Sequence, residues 1–209
     1  MIKLENNFHN ALCLRGEKGM GIKMKRLASL ILGIILCITV SGCGAAGTDK
    51  AYPVKFDEAE VMVGETAASV LLDAGFELKE ISGTELTADT PVEKNAYYTG
   101  INVVKDDATY AMISLAVEGK ETTLSNALVA QIIVKPELGH VIDRISFDGV
   151  PLPEVTAEVF KEHVAGSTIR EDGTRAFCAG DNYTSSIYYE DGKVTEMEMT
   201  RHYSVQWGT

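Results

Sequence analysis

The sequence predicts an α+β fold made of two tandem βαβββ-like modules, in which antiparallel sheet carries helices on one face. Three observations support this prediction. Apolar and polar residues alternate over many short segments that Asp- and Gly-containing turns separate. Two segments, after Thr66 and Thr156, instead repeat their apolar residues at helical spacing. The order of these elements recurs after about 85 to 90 residues, with little sequence identity between the copies.

The first module is predicted over residues 52–138. Loose alternation over residues 54–63 predicts a strand. Thr66 is a candidate N-cap for a helix over residues 67–74, which Gly75 would end. The stretch from 82 to 94 is polar and is predicted to be a loop. The remaining elements are predicted strands, at residues 76–81, 97–105, 110–117 and 127–134.

The second module is predicted over residues 139–209. Thr156 is expected to cap a helix over residues 157–164. Asp148-Gly149 and Asp191-Gly192 are two-residue turn signals, and the second lies between alternating segments, which predicts a hairpin. In Glu196-Met197-Glu198-Met199 the alternation predicts a sheet with one buried and one solvated face. Predicted strands cover residues 142–147, 175–179, 185–189, 194–201 and 202–207.

Charge is distributed unevenly along the chain. Residues 1–43 carry six basic and two acidic side chains, a net charge of +4. The remaining residues carry 13 basic and 28 acidic side chains, a net charge of -15. A body this acidic repels phosphate backbones and anionic lipid headgroups, so nucleic acid is not an expected partner.

The basic end carries a targeting signal. Met24-Lys25-Arg26 precedes an apolar run of 14 residues, 27–40, shorter than the roughly 20 residues of a membrane-spanning helix. Val40-Ser41-Gly42-Cys43 follows and resembles the lipobox of bacterial lipoproteins. The resemblance implies that residues 24–42 are a signal peptide, that Cys43 is the diacylated first residue of the mature chain, and that residues 43–51 are a flexible linker.

This resemblance also implies a location, the extracytoplasmic face of a cell membrane, with the N-terminal lipid as the membrane contact. Residues 1–23 precede a complete signal peptide and are predicted to be a non-native extension. We expect translation to start at Met20 or Met24.

The layout of the body resembles small, functionally uncharacterised lipoproteins of Gram-positive, Clostridia-like bacteria. The pieces that carry this resemblance are Val63-Gly64-Glu65-Thr66 through Gly75, and residues 124–129. The tandem plan is also similar to the beta-lactamase-inhibitor-protein-like fold. The resemblance implies no functional residue beyond Cys43.

Catalytic and metal sites have little support in the sequence. After processing and lipidation, Cys178 is the one cysteine that remains in the mature body, and no intramolecular disulfide is expected. As a nucleophile it would need a base, for which His140, His163 and His202 are available; the other interpretation is a small buried apolar side chain. The histidines lack zinc-motif spacing, and neither a metal nor a cofactor is expected.

Aromatic residues are the candidate binding residues. Tyrosine and tryptophan offer rigid, amphipathic contact area at binding surfaces, although many only cover a core. The leading hypothesis is a non-catalytic binding domain with a protein or envelope partner. The alternatives are a small extracytoplasmic hydrolase that uses Cys178 and an inhibitor of a secreted enzyme, the latter by fold analogy alone. The candidate binding residues are Tyr97, Tyr98, Tyr188, Tyr189 and Trp207.

Overall fold

The computed structural model describes residues 49–204 and the backbone of residues 206 and 207. The predicted N-terminal extension (1–23), the signal peptide (24–42) and Cys43 lie outside the described residues, as do residues 44–48 of the predicted linker.

Strands dominate the described residues. The strands, in chain order, are β1 Val54–Phe56, β2 Ala59–Val61, β3 Glu77–Glu80, β4 Glu85–Leu86, β5 Pro91–Val92, β6 Ala96–Lys105, β7 Ala108–Val117, β8 Thr122–Thr123, β9 Leu128–Val134, β10 Ile145–Phe147, β11 Val150–Pro151, β12 Thr168–Ile169, β13 Arg175–Ala179, β14 Tyr183–Glu190, β15 Lys193–Arg201 and β16 Gln206–Trp207.

The helices are short. The described α-helices are α1, Ser69–Asp73, and α2, Ala157–His163. Single 3-10 turns occur at Leu124–Asn126, Pro136–Leu138 and Leu152–Glu154. The α2 helix begins as predicted, because the Thr156 hydroxyl accepts a 3.2 Å hydrogen bond from the amide of Val159.

One large sheet organises the fold. Its strand order is β12-β13-β14-β15-β9-β7-β6-β3-β4, with antiparallel pairing throughout that path. The meander β3-β6-β7-β9 and the meander β12-β13-β14-β15 meet where β15 pairs with β9. After β15 the chain crosses to the far side of β6, where β16 pairs in parallel. Strands β5 and β8 form a separate pair.

A smaller sheet covers one face of the large one. Its order is β11-β10-β1-β2, so it joins a hairpin from each half of the chain through the β1–β10 pair. The core lies between these layers and the two helices, and its large, fully buried members include Phe56, Tyr110, Phe147 and Phe160. Each such side chain contributes about 1.5–3 kcal/mol of burial free energy.

A polar clamp ties the small sheet to the large one. Asp57, in the β1–β2 turn, accepts two 2.7 Å hydrogen bonds from the Arg144 guanidinium and one of 2.7 Å from the Tyr110 hydroxyl. Burial raises the pKa of the Asp57 carboxyl, but these hydrogen bonds and the charges of Arg144 and Lys105 outweigh it and hold that pKa below its ordinary value. The clamp therefore favours the ionised carboxylate.

The predicted α+β fold class is wrong, because the chain is mostly β. Strands account for 47% of the described residues and helices for 13%. The predicted helical segments do form, but α1 has five residues and α2 has seven, too short to make a helical layer. Strands from both predicted modules also share each of the two larger sheets.

Two details of the predicted secondary structure, the strand over residues 54–63 and the cap at Thr66, differ in the structure. The strand predicted over residues 54–63 is the β1–β2 hairpin, whose turn places Asp57 at φ 50°, a conformation that Asp tolerates without a flanking glycine. Thr66 does not cap α1; its hydroxyl accepts a hydrogen bond from the Met62 amide instead. The turns predicted at Asp148-Gly149 and Asp191-Gly192 are confirmed, with positive φ at all four residues.

Candidate binding surface

The two faces of the large sheet differ in what they contact. On β9, Ile132 and Val134 point inward to the core, whereas Gln131 and Ile133 point to the opposite side, which we call the outer face. Two outer-face side chains, Ile133 and Met112, stay partly exposed and belong to neither hydrophobic cluster of the described residues. The outer face is therefore partly exposed to solvent around Ile133 and Met112.

Strand register places polar residues side by side on this face. Thr200, Gln131 and Ser114 are direct neighbours on β15, β9 and β7. The Ser114 hydroxyl donates to Gln131 Oε1 at 3.0 Å. The Gln131 amide donates to Glu198 Oε1 at 2.8 Å and to Thr200 Oγ1 at 3.3 Å. We call Ser114, Gln131, Thr200 and Glu198 the polar row.

The polar row ends at a carboxylate without a counterion. Glu196, two residues earlier on the same face, pairs with Lys135 at 3.0 Å. Glu198 forms no ion pair with any described residue, and it accepts hydrogen bonds from Gln131 and Thr200. Within the described part of the chain, the Glu198 carboxylate is therefore held by hydrogen bonds and not by an ion pair.

A second cluster lies nearer the sheet edge, on β13 and β14. The Arg175 guanidinium lies 4.8 Å from the Phe177 ring centre and 4.7 Å from that of Tyr188. Its Nη2 donates to Ser186 Oγ at 2.7 Å, and its Nε is buried with no hydrogen-bond partner among the described residues. Stacking between two rings fixes the guanidinium and leaves it donor capacity for another group.

A pocket of about 120 Å³ opens beside the polar row. Its lining residues are Tyr97, Ser114, Gln131, Thr200, His202 and Tyr203. The Tyr97 and Tyr203 rings meet edge to face with their centres 5.8 Å apart. Burial raises the pKa of Tyr203 to about 12, and its hydroxyl is buried without a hydrogen-bond partner in the described residues. Tyr203 is therefore a neutral phenol.

No family model, curated protein or solved structure matches this chain. The interpretation of the surface therefore rests on its own geometry. No helix of the described residues is long and apolar enough to cross a membrane. The described His, Cys, Asp and Glu side chains form no group of three that could hold a metal ion.

The candidate aromatic residues divide between the two faces. Tyr97 and Tyr188 lie on the outer face, on β6 and β14, with three strands between them. Tyr98 and Tyr189 point to the core side, because successive residues of a strand alternate. The backbone of Trp207 lies opposite Tyr97, but its side chain is outside the described residues. The structure thus does not bring the five residues together in one site.

Cys178 lacks the environment of a nucleophile. The side chain is 6% exposed and faces the core. Burial, and then the charge of Asp49, raise the pKa of its thiol, whereas a reactive cysteine needs a lowered one.

The three histidines have other hydrogen-bond partners. Nδ1 of His140 accepts from the Lys135 amide, Nδ1 of His163 lies 2.8 Å from Asp148, and Nε2 of His202 lies 2.8 Å from Thr184.

Most residues of the outer face were not predicted from the sequence to belong to a site. Two of these residues, Gln131 and Arg175, stand out from the sequence pattern around them. Gln131 interrupts an apolar run, ALVAQIIV, and Arg175 alternates with Phe177 on one strand. The cross-strand neighbours of Gln131, which are Ser114 and Thr200, become adjacent to it only through the register of distant segments.

Proposed function

We propose that this chain is a membrane-anchored extracytoplasmic lipoprotein, held by a lipid on Cys43, whose outer face binds a protein partner of the cell envelope without catalysis. The observation that carries the proposal is the Arg175 cluster next to the polar row on a half-exposed sheet face. Both groups are held in place by contacts within the sheet, so little conformational freedom is lost on binding.

The composition of the outer face supports a protein partner. Arginine and tyrosine are enriched among the residues that dominate binding energy at protein interfaces. The face also has partly exposed apolar area, which comes from Ile133, Met112 and Phe177. A mixture of a rigid arginine, aromatic rings and apolar side chains is typical of the centre of an interface.

The contacts of Asp49, at the start of the described residues, support a domain that is anchored close to its N-terminal end. The carboxylate of Asp49 accepts hydrogen bonds from the backbone amides of Asn182 and Tyr183, at 2.7 and 2.9 Å, in the turn between β13 and β14. Cys43 precedes Asp49 by six residues, which reach at most about 20 Å when extended. With a lipid on Cys43, the β13–β14 turn would stay close to the membrane.

Crosslinking in living cells tests the proposal. The full chain carries a C-terminal tag, and the membrane fraction is compared with that of the Cys43→Ala variant. We expect one dominant protein adduct that depends on Cys43 and is lost in Arg175→Gln. Arg170→Gln is the matched control, because Arg170 is an exposed arginine paired only with Asp172 among the described residues. An adduct unaffected by Arg175→Gln would contradict the proposed surface.

A further inference from the structure

We infer that the Arg175 guanidinium is the docking point for a carboxylate, which an aspartate or glutamate side chain of the partner protein contributes when that protein binds the outer face. This contact rests on the proposed function and gives it a defined ligand chemistry. Three properties of Arg175 support it: unused hydrogen-bond donors, the lack of an ion pair within the described residues, and the shape that its aromatic neighbours impose.

The Arg175 guanidinium has donors that no described residue uses. Its Nη2 donates to Ser186 Oγ at 2.7 Å, and the Ser186 side chain is buried. Its Nε is itself buried, so a ligand cannot reach that nitrogen. Nη1 makes no hydrogen bond to a described residue and, unlike Nε, is not buried. Because Nη1 carries two of the five N–H donors of a guanidinium, these two protons are free for a ligand.

The positive charge of Arg175 is not paired within the described part of the chain. Arg175 forms no ion pair with a described carboxylate, whereas Arg170, in the same β12–β13 hairpin, pairs with Asp172 at 3.2 Å. On β15, Glu196 is already ion-paired and Glu198 belongs to the polar row. A partly buried guanidinium has lost part of its hydration, and an ion pair with a ligand would compensate for that loss.

The aromatic neighbours of Arg175 restrict how a ligand approaches. The rings of Phe177 and Tyr188 lie with their centres 4.8 and 4.7 Å from the guanidinium carbon, so they cover part of the group. A ligand therefore approaches through the Nη atoms. A carboxylate is planar and has two acceptor oxygens, which match the N–H fork of a guanidinium. Both rings are partly exposed and lie where the methylene carbons of an acidic side chain would contact them.

The charge of the whole chain favours a protein as the source of this carboxylate. Nucleic acids and anionic membranes present many negative charges at once, and the net charge of -15 beyond residue 43 repels them. A single acidic side chain on a protein surface adds one negative charge and is accompanied by apolar area. Ile133 and Met112 offer partly exposed apolar area on the same face of the sheet.

The test uses the full chain in detergent micelles and two small probes. Nα-acetyl-glutamate N-methylamide is titrated at neutral pH and constant ionic strength, while the Nε–H resonance of Arg175 is followed by NMR. Nα-acetyl-glutamine N-methylamide is the matched probe, because it has nearly the same shape and no charge. We expect a saturable shift with the glutamate probe and none with the glutamine probe. Equal shifts with both probes, or no saturable shift with the glutamate probe, would overturn the inference.

Two matched variants show whether the probe binds at Arg175, with the backbone amide of Phe177 as the reporter. In Arg175→Gln we expect the glutamate probe to bind at least about fivefold more weakly, because the charged fork is lost. In Arg170→Gln we expect a change below about twofold, because that exposed guanidinium is already paired with Asp172. Equal affinities in these two variants would overturn the inference. Arg175→Lys keeps the charge and should retain part of the binding, which separates loss of the contact from loss of the fold.

The cellular experiment distinguishes this inference from the proposed function. If the crosslinked adduct is lost in Arg175→Gln but the glutamate probe gives no saturable shift, the carboxylate contact is refuted and the docking surface stands. If no adduct forms at all, the proposed function fails, and the probe titration still decides whether Arg175 binds a carboxylate.

Discussion

Replacing Asp57 with alanine should destabilise the fold, because Asp57 is the acceptor of the polar clamp between the two sheets. The change removes the acceptor of the buried Tyr110 hydroxyl, which costs about 1–3 kcal/mol. Loss of the Arg144 pair adds less than about 1 kcal/mol, because the Arg144 side chain is 39% exposed and regains water. Alanine at φ 50° adds less than about 1 kcal/mol of backbone strain, because Asp57 already carries a Cβ in this conformation.

The expected total for Asp57→Ala is therefore about 3 kcal/mol, or a fall of about 10 °C in the melting temperature. The assay is thermal unfolding of the full chain in mild detergent, followed by near-ultraviolet circular dichroism. Asp191→Ala is the matched control, since Asp191 has the same φ of 50° in the β14–β15 turn and no side-chain hydrogen bond or ion pair with a described residue. If Asp57→Ala lowers the melting temperature no more than Asp191→Ala does, the clamp is refuted.

The same variant has a defined pH dependence. The folded-state pKa of Asp57 is below its value in the unfolded chain, about 3.9. Its carboxylate therefore stabilises the fold above that value, and the contribution disappears as the pH falls through the folded pKa. The difference in the free energy of unfolding between the unaltered chain and Asp57→Ala should become smaller below about pH 4. A difference that does not change with pH would contradict the ionised clamp.

Three further predictions concern single sites. Gly64→Ala should lower the free energy of unfolding by about 1–2 kcal/mol, because a Cβ there lies 2.8 Å from Cγ of Arg201 and Gly64 has φ 80°. An unchanged midpoint of chemical unfolding would contradict this. Burial and the Lys135 charge lower the pKa of His140, so the melting temperature should fall as the pH drops below about 6.5. In His140→Asn that part of the fall should be absent. The Cys178 thiol should resist alkylation in the folded chain, as read by mass spectrometry of its peptide, and rapid labelling would revive the hydrolase hypothesis.

Much of the strand pattern was predictable because its signals are local. Asp191-Gly192 and the alternation of Met197 and Met199 are readable within a few residues, and both methionines are buried as predicted. The β1–β2 turn at Asp57 was not predictable from a glycine signal, because Asp57 adopts its positive φ beside Glu58. The fold class was wrong because the helical spacing extends over too few residues to make a helical layer.

The site was less predictable than the strands. Aromatic residues could be selected from sequence, but the side of the sheet on which Tyr97 and Tyr98 lie depends on register. Gln131 meets Ser114 and Thr200 only because β9 lies between β7 and β15, and the last of these contacts joins segments 69 residues apart. Such long-range pairings leave no local pattern from which a polar row can be inferred.

The claim that the outer face is the binding surface is tested most directly by site-specific photocrosslinking in cells. A photoreactive residue is placed at Ile133, at the centre of the outer face, and, as the matched position, at Glu158, which is exposed on α2. We expect a discrete protein adduct from position 133 and none from position 158. Adducts of the same protein from both positions, or from position 158 alone, would contradict it.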